Sequence, residues 1–123
     1  MHELSIAVDL VDIAERAAQD ANAVRVETVY LRLGVMSGVV KEALFFAYEV
    51  ATKDTILEGS RLEVTDVPLI VHCATCDKDV ELPSIQYFAC PTCNTPTTDV
   101  RQGRELEIES MEIVTDETET VGN

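Results

Sequence analysis

The chain has no tryptophan, and only three phenylalanines and three tyrosines among its 123 residues. Whatever core it builds is therefore mainly aliphatic. It is also poor in positive charge: nine Lys and Arg against 23 Asp and Glu leave a net charge of −14. That balance argues against nucleic-acid binding, because a phosphate backbone is repelled unless basic residues cluster. Here Arg16, Arg25, Arg32, Lys41, Lys53, Arg61, Lys78, Arg101 and Arg104 are scattered. No apolar run approaches bilayer length, so no membrane span is expected. Nothing at the N-terminus reads as a signal peptide, so a cytoplasmic protein is expected. No Ser-His-Asp set, Cys-His pair or Gly-rich phosphate loop is present, so the expectation is a protein that is not an enzyme. An acidic surface suits a basic protein partner or a transient metal cation.

What the chain does have is four cysteines in one pattern: Cys73 and Cys76, thirteen intervening residues, then Cys90 and Cys93. Each C-x2-C pair sits on a tight turn that aims two sulfurs at one point. Two such turns facing each other make a tetrahedral four-sulfur cage, which suits Zn2+ in a closed structural site. Thr75 and Thr92 leave the turns unobstructed, and Pro91 stiffens the second. An electron-transferring iron would accept the same four ligands, and spacing alone does not exclude it. Disulfides are disfavoured in a cytosolic chain, and the βαβ context of a thioredoxin-type site is absent.

Around this module the periodicity predicts an α+β fold. Glu3 to about Ala21 is an amphipathic helix with Leu4, Ala7, Val8, Leu10, Val11, Ala14, Ala17, Ala18 and Ala21 on its apolar side. Val24 to Leu33 is rich in β-branched residues and reads as a strand, with two-sided burial or a bulge near Val29. Lys41 to about Lys53 is a second helix with Leu44, Phe45, Tyr48 and Ala51 on one face. Arg61 to about Val71 reads as a kinked strand leading to the cysteines, and Leu106 and Ile108 alternate with glutamates in a last strand. The expected architecture is two helices on a small three-stranded sheet with an inserted zinc-knuckle subdomain. The expected division is 1–69 plus 103–113 for the α/β domain, 70–102 for the zinc-binding domain, and 114–123 as an acidic flexible tail. The inserted module lacks the bulk for a core of its own, so a metal would substitute for one.

The other candidate site is the opening Met1-His2-Glu3. If Met1 is retained with a free amine, that amine, the His2 amide nitrogen and His2 Nδ1 can bind one ion as a planar set. The fourth corner falls to the Glu3 amide or carboxylate, to water or to a partner's donor. A nitrogen-rich square plane favours Ni2+ or Cu2+. The other histidine, His72, reads as a surface residue on the flank of the cysteine module.

Met1-His2-Glu3-Leu4-Ser5, the Gly34-Val35-Met36-Ser37-Gly38-Val39 turn, the paired C-x2-C set and the closing Gly103-Arg104-Glu105-Leu106 together resemble the HypA/HybF nickel metallochaperones of [NiFe]-hydrogenase maturation. The resemblance runs from residue 1 to about 113. It implies a nickel site at Met1, His2 and Glu3, and structural zinc on Cys73, Cys76, Cys90 and Cys93. It implies delivery of Ni2+ to the hydrogenase large-subunit precursor together with the GTPase HypB. Some members also assist urease maturation, which adds a urease accessory protein to the partners implied. Two other readings remain at this point: a zinc-stapled interaction adaptor that carries no nickel, and an iron-bearing electron carrier.

Overall fold

A computed structural model of the chain describes residues 2–115, the side chain of His2 excepted. The elements run α1 (His2–Asp20), β1 (Ala23–Gly34), α2 (Lys41–Ala51), β2 (Arg61–Val67), β3 (Ile70–Cys73), β4 (Lys78–Glu81), β5 (Val100–Gln102) and β6 (Leu106–Thr115). They form an α+β protein with two three-stranded sheets, in the orders β2-β1-β6 and β4-β3-β5. The chain divides into two compact units. The first takes the described residues up to Leu31, Val39–Val64 and those from Glu107 on; the second takes Arg32–Gly38 and Thr65–Leu106. No helix among the described residues is long and apolar enough to cross a membrane.

In the first unit α1 packs against α2. The core joins Val11, Ala14 and Ala18 of α1 to Val26 and Val29 of β1, Tyr48 of α2 and Leu57 of the following turn. Alanines at 14 and 18 let backbones approach, and Leu57 is fully buried although it lies in no regular element. The backbone N–H of Val26 donates to the Ile56 carbonyl at 2.9 Å, which holds that turn beside β1. Thr28 and Val29 are both buried, so the strand is covered on two sides, as the broken alternation implied. Two helical expectations are corrected. Leu4 and Val8 lie off the buried stripe, which runs through Ala7, Leu10, Val11, Ala14 and Ala18, and both are about half exposed. On α2 the buried set is Leu44, Ala47 and Tyr48, with Phe45 and Phe46 turned outward. A helix stripe of this width admits either rotation, and the small alanines decide it because they permit the closer approach.

The expected kinked strand is two strands, β2 and β3, separated at Pro68-Leu69, since proline cannot donate to a ladder, and β3 lies wholly in the second unit. β3 pairs antiparallel with β4, His72 opposite Asp79 and Cys73 opposite Lys78, and on its other side with β5. The core here is small: Leu69, Val71 and Leu82, with Met36, Val80, Phe88 and Val100 packed against it. β1 ends in this unit at a backbone-on-backbone crossing. The Gly34 N–H donates to the Glu105 carbonyl and the Met36 N–H to the Gly103 carbonyl, both at 2.7 Å. A Cβ on Gly34 would sit 2.1 Å from the Gly103 oxygen, so only glycine fits. Val114 and Thr115 belong to β6, and residues 116–123 lie outside the described residues.

Candidate metal centre

The two C-x2-C pairs are two tight turns in the second unit. Cys73 ends β3, and the turn through Cys76 leads into β4. The chain leaves it through Asp77 in the left-handed conformation, φ 53°. The second turn repeats the device: Cys90 to Cys93, then Asn94 at φ 62°. The Asn94 N–H donates to the Cys90 carbonyl at 2.7 Å, and the Cys90 N–H donates to the Thr95 carbonyl at 2.9 Å. Asp and Asn are the side chains that tolerate this region best after glycine. That pairing was visible in the sequence as an Asp or Asn directly after each C-x2-C, a signal the spacing argument did not use. The Thr97 hydroxyl donates to the His72 carbonyl at 2.7 Å, and the His72 N–H donates to the Asp99 carbonyl at 2.8 Å. These bonds tie the second turn to the strand that carries the first.

All four Sγ atoms lie within 4.8 Å of one another. Cys73 and Cys93 are 3.5 Å apart and Cys76 and Cys90 are 3.9 Å apart, and all four are free thiols. A sulfur–sulfur bond is about 2.05 Å, whereas the edge of a tetrahedron with metal–sulfur bonds of about 2.3 Å is about 3.8 Å. The cluster is therefore spaced for a metal ion, in the manner of a zinc site, and not for disulfides. Cys73 and Cys90 are buried, Cys76 is half-buried, and Cys93 faces solvent. Four donors from the chain fill a tetrahedron, which leaves no position for substrate.

The surroundings prepare the sulfurs for a cation. Cys93 Sγ lies 3.1 Å from Thr95 Oγ1, which lies 3.2 Å from Thr75 Oγ1. With Cys93 ionised, the Thr95 hydroxyl donates to the sulfur. This bond and the Thr95 N–H hold the Cys93 thiol down at about 6. The Cys90 thiol is also lowered, chiefly by the Cys93 N–H. Cys76 moves the other way, to about 12, because its thiol hydrogen-bonds Cys93 and is then further penalised by burial. A metal dication is held by thiolates, so its binding displaces the protons that remain on the sulfurs. Sequence reasoning gave Thr75 only the role of leaving room and passed over Thr95. His72 lies on β3, with Nδ1 2.9 Å from Asp79 Oδ1 and Nε2 3.7 Å from Asp77 Oδ1, and is aimed at carboxylates rather than at the sulfurs.

At the other candidate site, Met1 and the side chain of His2 lie outside the described residues. Helix α1 begins at His2, and Glu3 is in its first turn. Glu3 Oε2 accepts a hydrogen bond from the Val40 N–H at 3.0 Å, and that bond is the main reason its carboxyl is held below the usual range. Beside it is a groove of about 290 Å³ lined by Glu3, Leu4, Ala43, Phe46, Ala47 and Val50, where the two helices of the first unit meet.

A family model described as HypA, hydrogenase/urease nickel incorporation, metallochaperone, matches residues 1–113, a span that takes in both candidate sites. This chain belongs to the HypA family. The hydrogenase maturation factor HypA of Roseiflexus sp. (strain RS-1) is 49% identical over all 123 residues and covers 100% of both chains. That of Chloroflexus aggregans is 43% identical over 112 residues, 91% of this chain and 98% of the relative. Among solved structures, the Ni metallochaperone HypA from Helicobacter pylori matches with a TM-score of 0.67 at 22% identity, over 93% of this chain and 98% of that one. A second HypA solution structure matches at 0.70 and 23% identity, covering 94% and 98%. At those identities the structural matches establish the shared fold.

Proposed function

We propose that this HypA-family protein is a nickel carrier rather than an enzyme. It binds Ni2+ at its N-terminus and hands it to the large-subunit precursor of a [NiFe]-hydrogenase, working with the GTPase HypB. The single observation that carries this reading is the match to a nickel-incorporation family across residues 1–113. The four cysteines add a chemical argument. A closed four-sulfur cage releases its ion slowly and offers no open corner, so it suits a resident zinc that shapes the second unit. The cargo then needs a different site, and the Met1 amine, the His2 amide and His2 Nδ1 supply one. A planar set with one open corner lets an incoming ligand attack, so the ion can leave for a partner. On this reading residues 1–69 and 103–113 serve nickel and 70–102 serve zinc. Within the second unit, zinc joins β3 and the turn after Phe88, where three buried apolar side chains provide little cohesion of their own.

Calorimetry with Ni2+ on untagged protein tests the proposal. One high-affinity site is expected, lost in His2→Ala and lost again when the N-terminus is extended by even one residue, with the thiolate-bound metal unchanged throughout. Equal binding in all three proteins would remove the proposed site and leave a zinc-stapled interaction adaptor as the function.

A further inference from the structure

A cavity of about 390 Å³ opens in the first unit where the end of α2 meets the turn that leads into β2. That volume is in the range of small-molecule sites. Tyr48 and Ser60 line it, and their hydroxyls are 2.6 Å apart. Tyr48 is buried, and burial raises its phenol above the ordinary value against the opposing Ser60 bond, so it keeps its proton at neutral pH. Neither hydroxyl has another partner among the described residues. Two hydroxyls that share one bond hold two protons, so one donor is left over, with lone pairs beside it.

Glu49 and Lys53 also line the cavity. Glu and Lys four apart in this order ordinarily pair along a helix. These two stand apart, and among the described residues neither side chain makes an ion pair. The helix stops at Ala51, so Lys53 lies beyond it and is not stacked over Glu49. Glu58, the other carboxylate here, accepts the Asp54 N–H at 3.2 Å within its own turn. The last turn of α2 holds no basic residue, so its negative end favours a cation beside Glu49.

We propose that this cavity binds a small zwitterion of the α-amino acid class. The ammonium group takes the place between Glu49 and the carbonyl end of α2, the carboxylate meets Lys53, and the hydroxyl pair donates its spare hydrogen bond to that carboxylate. A simple cation would be opposed by Lys53, and a simple anion by Glu49 and Glu58. A molecule that carries both charges satisfies the two unpaired side chains at once. Nickel plays no part in this site, so it stands or falls apart from the carrier reading.

The test uses the full-length protein and L-alanine as the probe, with ethylamine and propionate as analogues that each lack one of its charges. Backbone amide shifts are followed by NMR as each is added. Alanine should move the Thr52, Lys53, Gly59 and Ser60 amides along one saturable curve. Ethylamine and propionate should each bind about tenfold more weakly, the scale of one lost charge-assisted hydrogen bond. Glu49→Gln and Lys53→Gln, both at exposed positions, should each weaken alanine by about the same tenfold. They should also separate the analogues: Glu49→Gln improves propionate and Lys53→Gln improves ethylamine, a crossover that a merely structural role would not produce. If either variant fails to fold, the three probes on wild-type protein still decide the matter. No saturable shift with alanine, or ethylamine or propionate binding as well as alanine, would overturn the proposal. So would shifts centred elsewhere in the chain, or alanine binding that both variants leave unchanged.

Discussion

Gly34→Ala puts the backbone crossing of the second unit to a quantitative test. The new Cβ would lie 2.1 Å from the Gly103 oxygen and 2.6 Å from the Arg104 nitrogen, both backbone atoms that cannot swing aside. Opening the first contact to an ordinary 3.4 Å takes a shift of 1.3 Å. The Gly34 N–H to Glu105 and Met36 N–H to Gly103 bonds are both 2.7 Å, and a stretch of that size takes either out of hydrogen-bonding range. Two lost backbone bonds at about 0.5–1.5 kcal/mol each, with overpacking at about 1–3 kcal/mol, give a loss of about 2–6 kcal/mol. Thermal unfolding should then fall by roughly 10–20 °C, and the urea midpoint should fall with it. Gly38→Ala is the control. Gly38 has φ 77° but nothing within 4 Å of a new Cβ, so only conformational strain of about 1–2 kcal/mol is expected there. If Gly34→Ala proves no more harmful than Gly38→Ala, the crossing is looser than described and the reasoning fails.

Removing the Thr95 hydroxyl with Thr95→Val should weaken the thiolate-bound metal roughly tenfold in competition with a chromophoric chelator, the usual scale for a partner of a metal ligand; unchanged affinity would show that the hydroxyl does not act on Cys93. In metal-free, reduced protein Cys93 is exposed and its thiol is lowered to about 6 by Thr95, whereas Cys76 is raised to about 12. Iodoacetamide should therefore label Cys93 first, with a rate that rises through pH 6 and levels above it, while Cys76 stays protonated at neutral pH. Peptide mapping that finds the four labelled alike would contradict this.

Much of the fold was legible because its long elements carry strong periods. The apolar spacing of α1, the β-branched run of β1 and the glutamate alternation of β6 each indicated an element close to where it stands. What escaped has identifiable causes. β5 is Val100–Gln102, three residues of mostly polar character, and it exists because Ile70 and Val71 offer it a partner across some thirty residues of sequence. Leu57 is fully buried in a turn that no pattern marks, since its burial depends on β1 lying alongside. Phe45 was expected on the buried face with Leu44 and Tyr48, but α2 buries the side that holds Leu44, Ala47 and Tyr48. At the cysteines, spacing alone indicated the cage and the Asp and Asn after each pair marked the left-handed exits, yet the Thr95 hydroxyl beside Cys93 depends on how the turns close. In the sequence the Gly34 and Gly103 segments carry only a resemblance. Their physical reason appeared only when the two backbones were seen to touch.

The central claim is that two different ions use two different donor sets on one small chain. X-ray absorption at both metal edges, on untagged protein loaded with one equivalent of Ni2+, tests it directly. The account predicts zinc surrounded by four sulfurs at about 2.3 Å, and nickel in a planar environment of nitrogen and oxygen with no sulfur. Sulfur around the nickel, or zinc displaced from the cage by nickel, would contradict it.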